Sequence, residues 1–293
     1  DWSSDVCSSD LNPALSNISL SSKDFISISA VLDEMPTVTN LNLAGNTELG
    51  GSAESWAKYL PRFTGIQTLN LSNCALQGTD IVHFALGATG MSNLTDLNLA
   101  GNTALGGSAK RWAEHLLRDT HIATLNLSNC TMQWTDIEHI AWAVSDMPKL
   151  TNLILADNPA LGEWTEKWSR CLIRVKGKRT LDLSNCSLTW EDVGAISEVI
   201  NHVPALTDLN LAGNIALGGL AELWAKYLSR VRKITTLDLS NCALQLSDIE
   251  HIASAVTDIS GLTHLNLSGN TELGGSAVSW ARYLPRFTRI QTL

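Results

Sequence analysis

The sequence predicts an α/β solenoid: right-handed β-α coils stacked into a horseshoe, with a parallel sheet on the concave side and helices on the convex side. Two observations carry this. The hexapeptide LNLAGN or LNLSNC, with small departures, opens at Leu41 and returns at Leu69, Leu97, Leu125, Leu153, Leu181, Leu209, Leu237 and Leu265, always after 28 residues. A fixed period of that length marks supersecondary units that cannot bury their own apolar faces and must stack on neighbours. Within each unit the apolar spacing also changes from alternation to a helical period, so every coil holds one strand and one helix. Stacked strands lie about 4.8 Å apart and helices about 10 Å, which bends such a stack toward its sheet.

Two unit types alternate, giving a 56-residue super-period. Units at Leu41, Leu97, Leu153, Leu209 and Leu265 continue, with small departures, into a Gly-Gly-Ser turn and a tryptophan-bearing helix. Those at Pro13, Leu69, Leu125, Leu181 and Leu237 continue into a DIxHIA helix, and the Pro13 unit is degenerate. Leucines such as Leu94, Leu97 and Leu99 turn inward from each strand. The next buried position forms a ladder, Asn46, Asn102, Asn158, Asn214 and Asn270 in one type, Cys74, Cys130, Cys186 and Cys242 in the other. An inward Asn would satisfy backbone groups of the turn leaving the strand, and a buried thiol behaves as a small hydrophobe. In the first type Gly50-Gly51 permits a bend, Ser52 is placed to cap, and Ala53, Trp56 and Leu60 share a helix face. In the second, Thr79 or Asp80 is placed to cap and Ile81, Phe84 and Ala85 face inward.

Through LxxLxLxxN and LxxLxLxxC at a 28-residue period, the chain resembles ribonuclease-inhibitor-type leucine-rich repeats from Leu15 to Leu293. More narrowly, LGGSAxxW and LSNCxLxxxDIxHIA resemble the repeat domains of NACHT-containing innate immune receptors. That resemblance implies a non-catalytic, cytoplasmic sensing or autoinhibitory module. Two other relatives of the repeat type set alternatives: a GTPase-activating protein of the Ran-activator kind, or a nuclease inhibitor.

The ends stand apart. Residues 1–11 match the in-frame translation of a sequencing adapter and are set aside, leaving a repeat domain over 12–293 of about ten units. Leu293 opens a strand that does not follow, so both ends are expected to be cuts, with weak end-to-end association through uncapped termini. Without Asp1, Asp5 and Asp10 the formal charge falls from −9 to −6. Mild acidity argues against nucleic acid as a partner, and no apolar run approaches the roughly 18 residues of a membrane helix.

Several columns imitate chemistry. Trp56, Trp112, Trp168, Trp224 and Trp280 fall 56 residues apart at core positions, whereas Trp134, Trp142, Trp164 and Trp190 break the period and are expected at an exposed patch. Ladder cysteines two repeats apart sit about 10 Å from one another, beyond the roughly 7 Å that a disulfide spans. The Gly45, Gly50, Gly51, Ser52 pattern mimics a phosphate loop but carries Gly where lysine would reach the phosphates. His83, His139 and His251 share one column and read as surface residues too far apart for one zinc ion. No catalytic constellation, metal set or cofactor emerges.

Charge and departures from the repeat point to contact surfaces instead. Eighteen of the 20 Lys and Arg lie in units of the first type, while Asp136, Glu138, Glu191, Asp192, Asp248 and Glu250 open second-type helices, predicting alternating convex stripes. Residues 153–180 deviate most: Ile154 replaces Asn, Trp164 is added, and Lys167, Arg170, Arg174, Lys176, Lys178 and Arg179 concentrate. This segment is the expected site for an unidentified protein partner. On the concave face Asp96, Asp182, Asp208 and Asp238 are the candidate contacts in a polar, faintly acidic surface without Trp, Tyr or Arg.

Overall fold

The computed structural model describes residues 15–32, 37–116, 121–162, 165–175 and 177–292. Residues 1–11 therefore lie outside the described residues. Two compact units divide the chain, one bounded by Asp1–Thr131 and Trp142–Leu150, the other by Met132–Ala141 and Thr151–Leu293. The first contains α1 (Ser22–Leu32), β1 (Asn40–Asn42), α2 (Ala53–Trp56), β2 (Thr68–Asn70), α3 (Gly78–Ala88), β3 (Asp96–Asn98), α4 (Ala109–Leu116) and β4 (Thr124–Asn126). Helix α5 (Trp134–Ser145) contributes residues to both. The second continues with β5 (Asn152–Ile154), α6 (Thr165–Trp168), β6 (Thr180–Asp182), α7 (Trp190–Ile200), β7 (Asp208–Asn210), α8 (Ala221–Leu228), β8 (Thr236–Asp238), α9 (Leu246–Val256), β9 (His264–Asn266) and α10 (Ala277–Trp280).

Within each unit the strands are parallel and pair in chain order, leucine against leucine. Leu41 faces Leu69, Leu69 faces Leu97 and Leu97 faces Leu125; Leu153 through Leu265 repeat this in the second unit. The sequence period is therefore the pairing register. Consecutive helices pack on one another, α2 on α3 and α3 on α4, then α6 on α7, α7 on α8 and α8 on α9. Leu41, Leu43, Leu49, Trp56 and Leu60 of one repeat are all buried, so the core fills the space between strand and helix layers.

The Asn ladder does more than close its own turn. Asn102 Oδ1 accepts the Cys74 and Leu76 amides of the preceding repeat at 3.0 and 2.9 Å, while its Nδ2 donates to the carbonyls of Leu71 and Leu99 at 2.9 and 2.7 Å. Asn214 and Asn270 repeat the pattern. An amide side chain is needed because only it offers an acceptor and two donors on one small group. The cysteines are not merely small hydrophobes: Cys74 Sγ donates to the Leu43 carbonyl at 3.1 Å, and Cys186 and Cys242 make the same bond.

Four of the five periodic tryptophans are fully buried and the fifth, Trp280, is half-buried. Each indole N–H donates to the carbonyl of the leucine seven residues earlier, as from Trp56 to Leu49 at 3.1 Å. Gly50 is required by close approach, since a Cβ there would lie 2.1 Å from the Ala75 carbonyl oxygen.

Capping differs from the sequence expectation. Ser52 stands at the start of α2 but its hydroxyl donates backward to the Glu48 and Leu49 carbonyls. The cap comes from the next repeat: Asp80 accepts the Gly51 and Ala53 amides at 2.7 and 3.0 Å, and the Gln77 amide at 2.8 Å. Helix α3 begins at Gly78, so neither Thr79 nor Asp80 is its own N-cap. Asp248 repeats the arrangement on Gly219, Ala221 and Gln245. Asp136, Asp192 and Asp248 are consequently buried rather than part of an acidic surface stripe. Three first-type helices, α2, α6 and α10, are also shorter than their spacing implied, whereas α4 and α8 run unbroken over eight residues. Helix α2 passes into a 3-10 segment, Ala57–Arg62, that contains Pro61, and the last helix repeats this with Pro285.

Candidate functional site

Among the residues singled out between 153 and 180, Lys167, Arg170, Arg174 and Arg179 are exposed. Trp164 and Lys176 lie outside the described residues. Lys167 sits over the Trp134 ring at 4.8 Å, joining one expected patch residue to a tryptophan outside the core column. Trp142 is exposed and Trp190 half-buried. Ile154 is half-buried on β5, in the sheet, and so belongs to a different surface from the cations of the helical layer.

Lys178 is a correction. It is 1% exposed and takes the column filled elsewhere by Ile66, Leu94, Ile122, Leu150, Leu206, Ile234 and Leu262, all buried. The 28-residue register places a lysine inside the leucine layer, where burial pushes its pKa down. It therefore adds no charge to a surface patch. The histidine column is half-buried rather than fully exposed.

On the sheet face Asp96 and Asp208 are half-buried, accepting the hydroxyls of Thr95 and Thr207 at 2.7 and 2.8 Å. Asp182 accepts both the amide and the hydroxyl of Ser184, and burial raises its pKa. Asp238 is a second correction: it is 3% exposed, with its carboxylate committed to the Ser240 amide at 2.8 Å and the Asn266 side chain at 2.9 Å. A carboxylate so enclosed is a strand-to-strand link, not a docking group.

Two features were missed by sequence reasoning. Lys58 and Arg62 flank the Tyr59 ring at 5.4 and 5.1 Å, Lys226 and Arg230 flank Tyr227 at 5.2 and 5.1 Å, and Arg282 and Arg286 flank Tyr283 at 4.7 and 5.5 Å. The helix-end cations thus hold aromatic rings, a signal legible as Lys/Arg-Tyr-x-x-Arg in units of the first type. The second is a cavity of about 650 Å3 in the helical layer of the second unit, lined among others by Arg170, Trp190, Gly194, Ala195, Tyr227 and Arg230. Its signal was present, because Gly194-Ala195 stands where two other repeats have Glu138-His139 and Glu250-His251.

Residues 179–199 match the family profile described as Leucine Rich Repeat. The chain is 27% identical over 239 residues to NACHT, LRR and PYD domains-containing protein 13 of Homo sapiens, covering 80% of this chain and 22% of that protein. It is 26% identical over 214 residues to the ribonuclease inhibitor of Sus scrofa, covering 70% and 46%. The chain has the leucine-rich repeat fold and is similar to proteins of the ribonuclease-inhibitor type. Its repeats resemble those of NACHT-containing receptors, and it spans less than half the length of either curated relative. The crystal structure of the leucine-rich repeat-containing protein LegL7 from Legionella pneumophila shares the fold, with a TM-score of 0.63 at 21% identity over 82% of this chain and 77% of that one. Among the described residues of this leucine-rich repeat protein, no helix is long and apolar enough to cross a membrane.

Proposed function

We propose that this leucine-rich repeat chain is a non-catalytic protein-recognition module, the sensing or autoinhibitory part of an intracellular NACHT-type receptor. The observation that supports it is the run of paired repeats, matched over 80% of the chain to a NACHT protein. The contact surface in this reading is the exposed helical side of the second unit, where Lys167, Arg170 and Arg174 are exposed, Lys167 lies over Trp134 and Arg170 lines one cavity with Trp190, while Arg179 stands at the start of β6. Arg and Trp are the residue types that dominate interface energetics.

A second reading, inhibition of a basic nuclease, is favoured by the likeness to the porcine inhibitor. It would use the sheet face, where Asp96 of the first unit and Asp182 and Asp208 of the second are half-buried while Asp238 is enclosed.

Affinity purification from cells with three baits separates these: the unaltered chain, an Arg170→Glu/Arg174→Glu variant, and an Asp182→Lys/Asp208→Lys variant. Recognition through the helical side predicts a partner lost only with the arginine variant. A partner that is a nuclease, lost only with the aspartate variant, would overturn it in favour of inhibition.

A further inference from the structure

The super-period gives each surface position of the second unit an internal reference 56 residues away. Glu250 and Tyr283, 33 residues apart, meet on the helical side, and the Tyr283 hydroxyl donates to Glu250 Oε2 at 2.7 Å. Arg282 donates to the same phenol oxygen at 2.7 Å, and the Tyr283 ring lies between Arg282 and Arg286. One super-period earlier the ring and its cations are kept. Tyr227 lies between Lys226 and Arg230, but the carboxylate is gone because position 194 is glycine. Gly194 backs directly onto the tyrosine: a Cβ there would stand 3.1 Å from Tyr227 Cε2. Ala195 removes the histidine that accompanies the glutamate elsewhere. The result is the cavity of about 650 Å3. Among the described residues none hydrogen-bonds the Tyr227 hydroxyl.

We propose that this cavity receives a glutamate or aspartate side chain from a protein partner, which occupies the place that Glu250 holds in the next super-repeat. The inference rests on the recognition reading above and deepens it. The incoming carboxylate accepts the Tyr227 hydroxyl and lies beside Arg230, with Arg170 of the basic segment also lining the cavity. Trp190 supplies an aromatic surface for the partner's aliphatic stem. Glu191 and Glu198 also line the cavity. Glu191 accepts the Thr189 hydroxyl at 3.0 Å, and Glu198 is exposed. Those two carboxylates repel a strongly acidic run, so the segment selected carries one acidic residue with uncharged or basic neighbours.

The test is a selection of displayed random dodecapeptides on the full 293-residue chain, counter-selected on Gly194→Glu, which restores the internal carboxylate. The expected result is enrichment of peptides with one invariant Glu or Asp. Binding should weaken about tenfold on its change to Gln, weaken about tenfold in Tyr227→Phe, and vanish in Gly194→Glu, as expected for loss of a charge-assisted hydrogen bond. Tyr283→Phe should leave binding unchanged. Tyr227→Phe removes only the hydroxyl and keeps the ring, so it reports even if Gly194→Glu folds poorly. No enrichment, or enriched peptides without an acidic residue, overturns the proposal, as does unaltered binding to both cavity variants. Self-association of the chain that disappears in Gly194→Glu also overturns it, because the occupant is then a second copy. A purified partner that still needs Arg170 and Arg174 but ignores Gly194→Glu leaves the recognition reading standing and removes only this one.

Discussion

At the scale of single residues, the ladder explains why Asn and Cys recur. Asn102 closes four backbone groups across two repeats, so Asn102→Ala should cost about 3 kcal/mol or more by leaving buried donors and acceptors open. Cys74→Ala should cost about 1–2 kcal/mol, because the Leu43 carbonyl keeps its bond from Asn46. Urea unfolding of the two variants compares them, and equal losses would contradict the ladder's role. Burial raises the thiol of Cys74 to about 11 and those of Cys130, Cys186 and Cys242 to about 12, from 9.0. The folded state therefore holds protons that the unfolded state releases above about pH 9, and stability should fall as pH rises from about 9 toward 12. Denaturation midpoints across that window check the sign. Lys178 works the other way, since its depressed pKa disfavours the charged folded form at neutral pH. Lys178→Leu should stabilise by about 1 kcal/mol at pH 7, with less gain near pH 10.

At the scale of elements, repeats are tied by caps as much as by apolar stacking. Asp248→Ala should cost about 1–2 kcal/mol and raise amide exchange at the start of α8 together with that of α9, because one carboxylate serves both. Exchange confined to α9 would contradict the shared cap. Strand positions, the Asn and Cys ladder and the tryptophan core were all legible in the sequence, since each is set by inward orientation at a fixed period. The caps were not. A side chain that bonds the backbone of a neighbouring repeat leaves no local pattern, and Asp80 reads as an ordinary first-turn acid until Gly51 is seen beside it. Charge summed along the sequence likewise misled at Lys178 and Asp238. Whether a charge faces solvent is decided by register, and for Lys178 the leucine column already held that information.

At the scale of the whole molecule, similarity, regular packing and local departure each give a different kind of information. The regular repeats account for stability and fold, while departures from them, Arg170 and Arg174 in 153–180 and the Gly194-Ala195 pair, lie in the helical layer of the second unit. A contact site at a break in periodicity is consistent with recognition by a repeat scaffold whose other units serve to hold it rigid. The most direct measurement is amide hydrogen exchange of the full chain with and without the protein recovered on the unaltered bait. Recognition through the helical side predicts slowed exchange in residues 165–175, 190–202 and 224–232, with β7 and β8 unchanged. Protection confined to β6, β7 and β8 would place the partner on the sheet face and contradict the account.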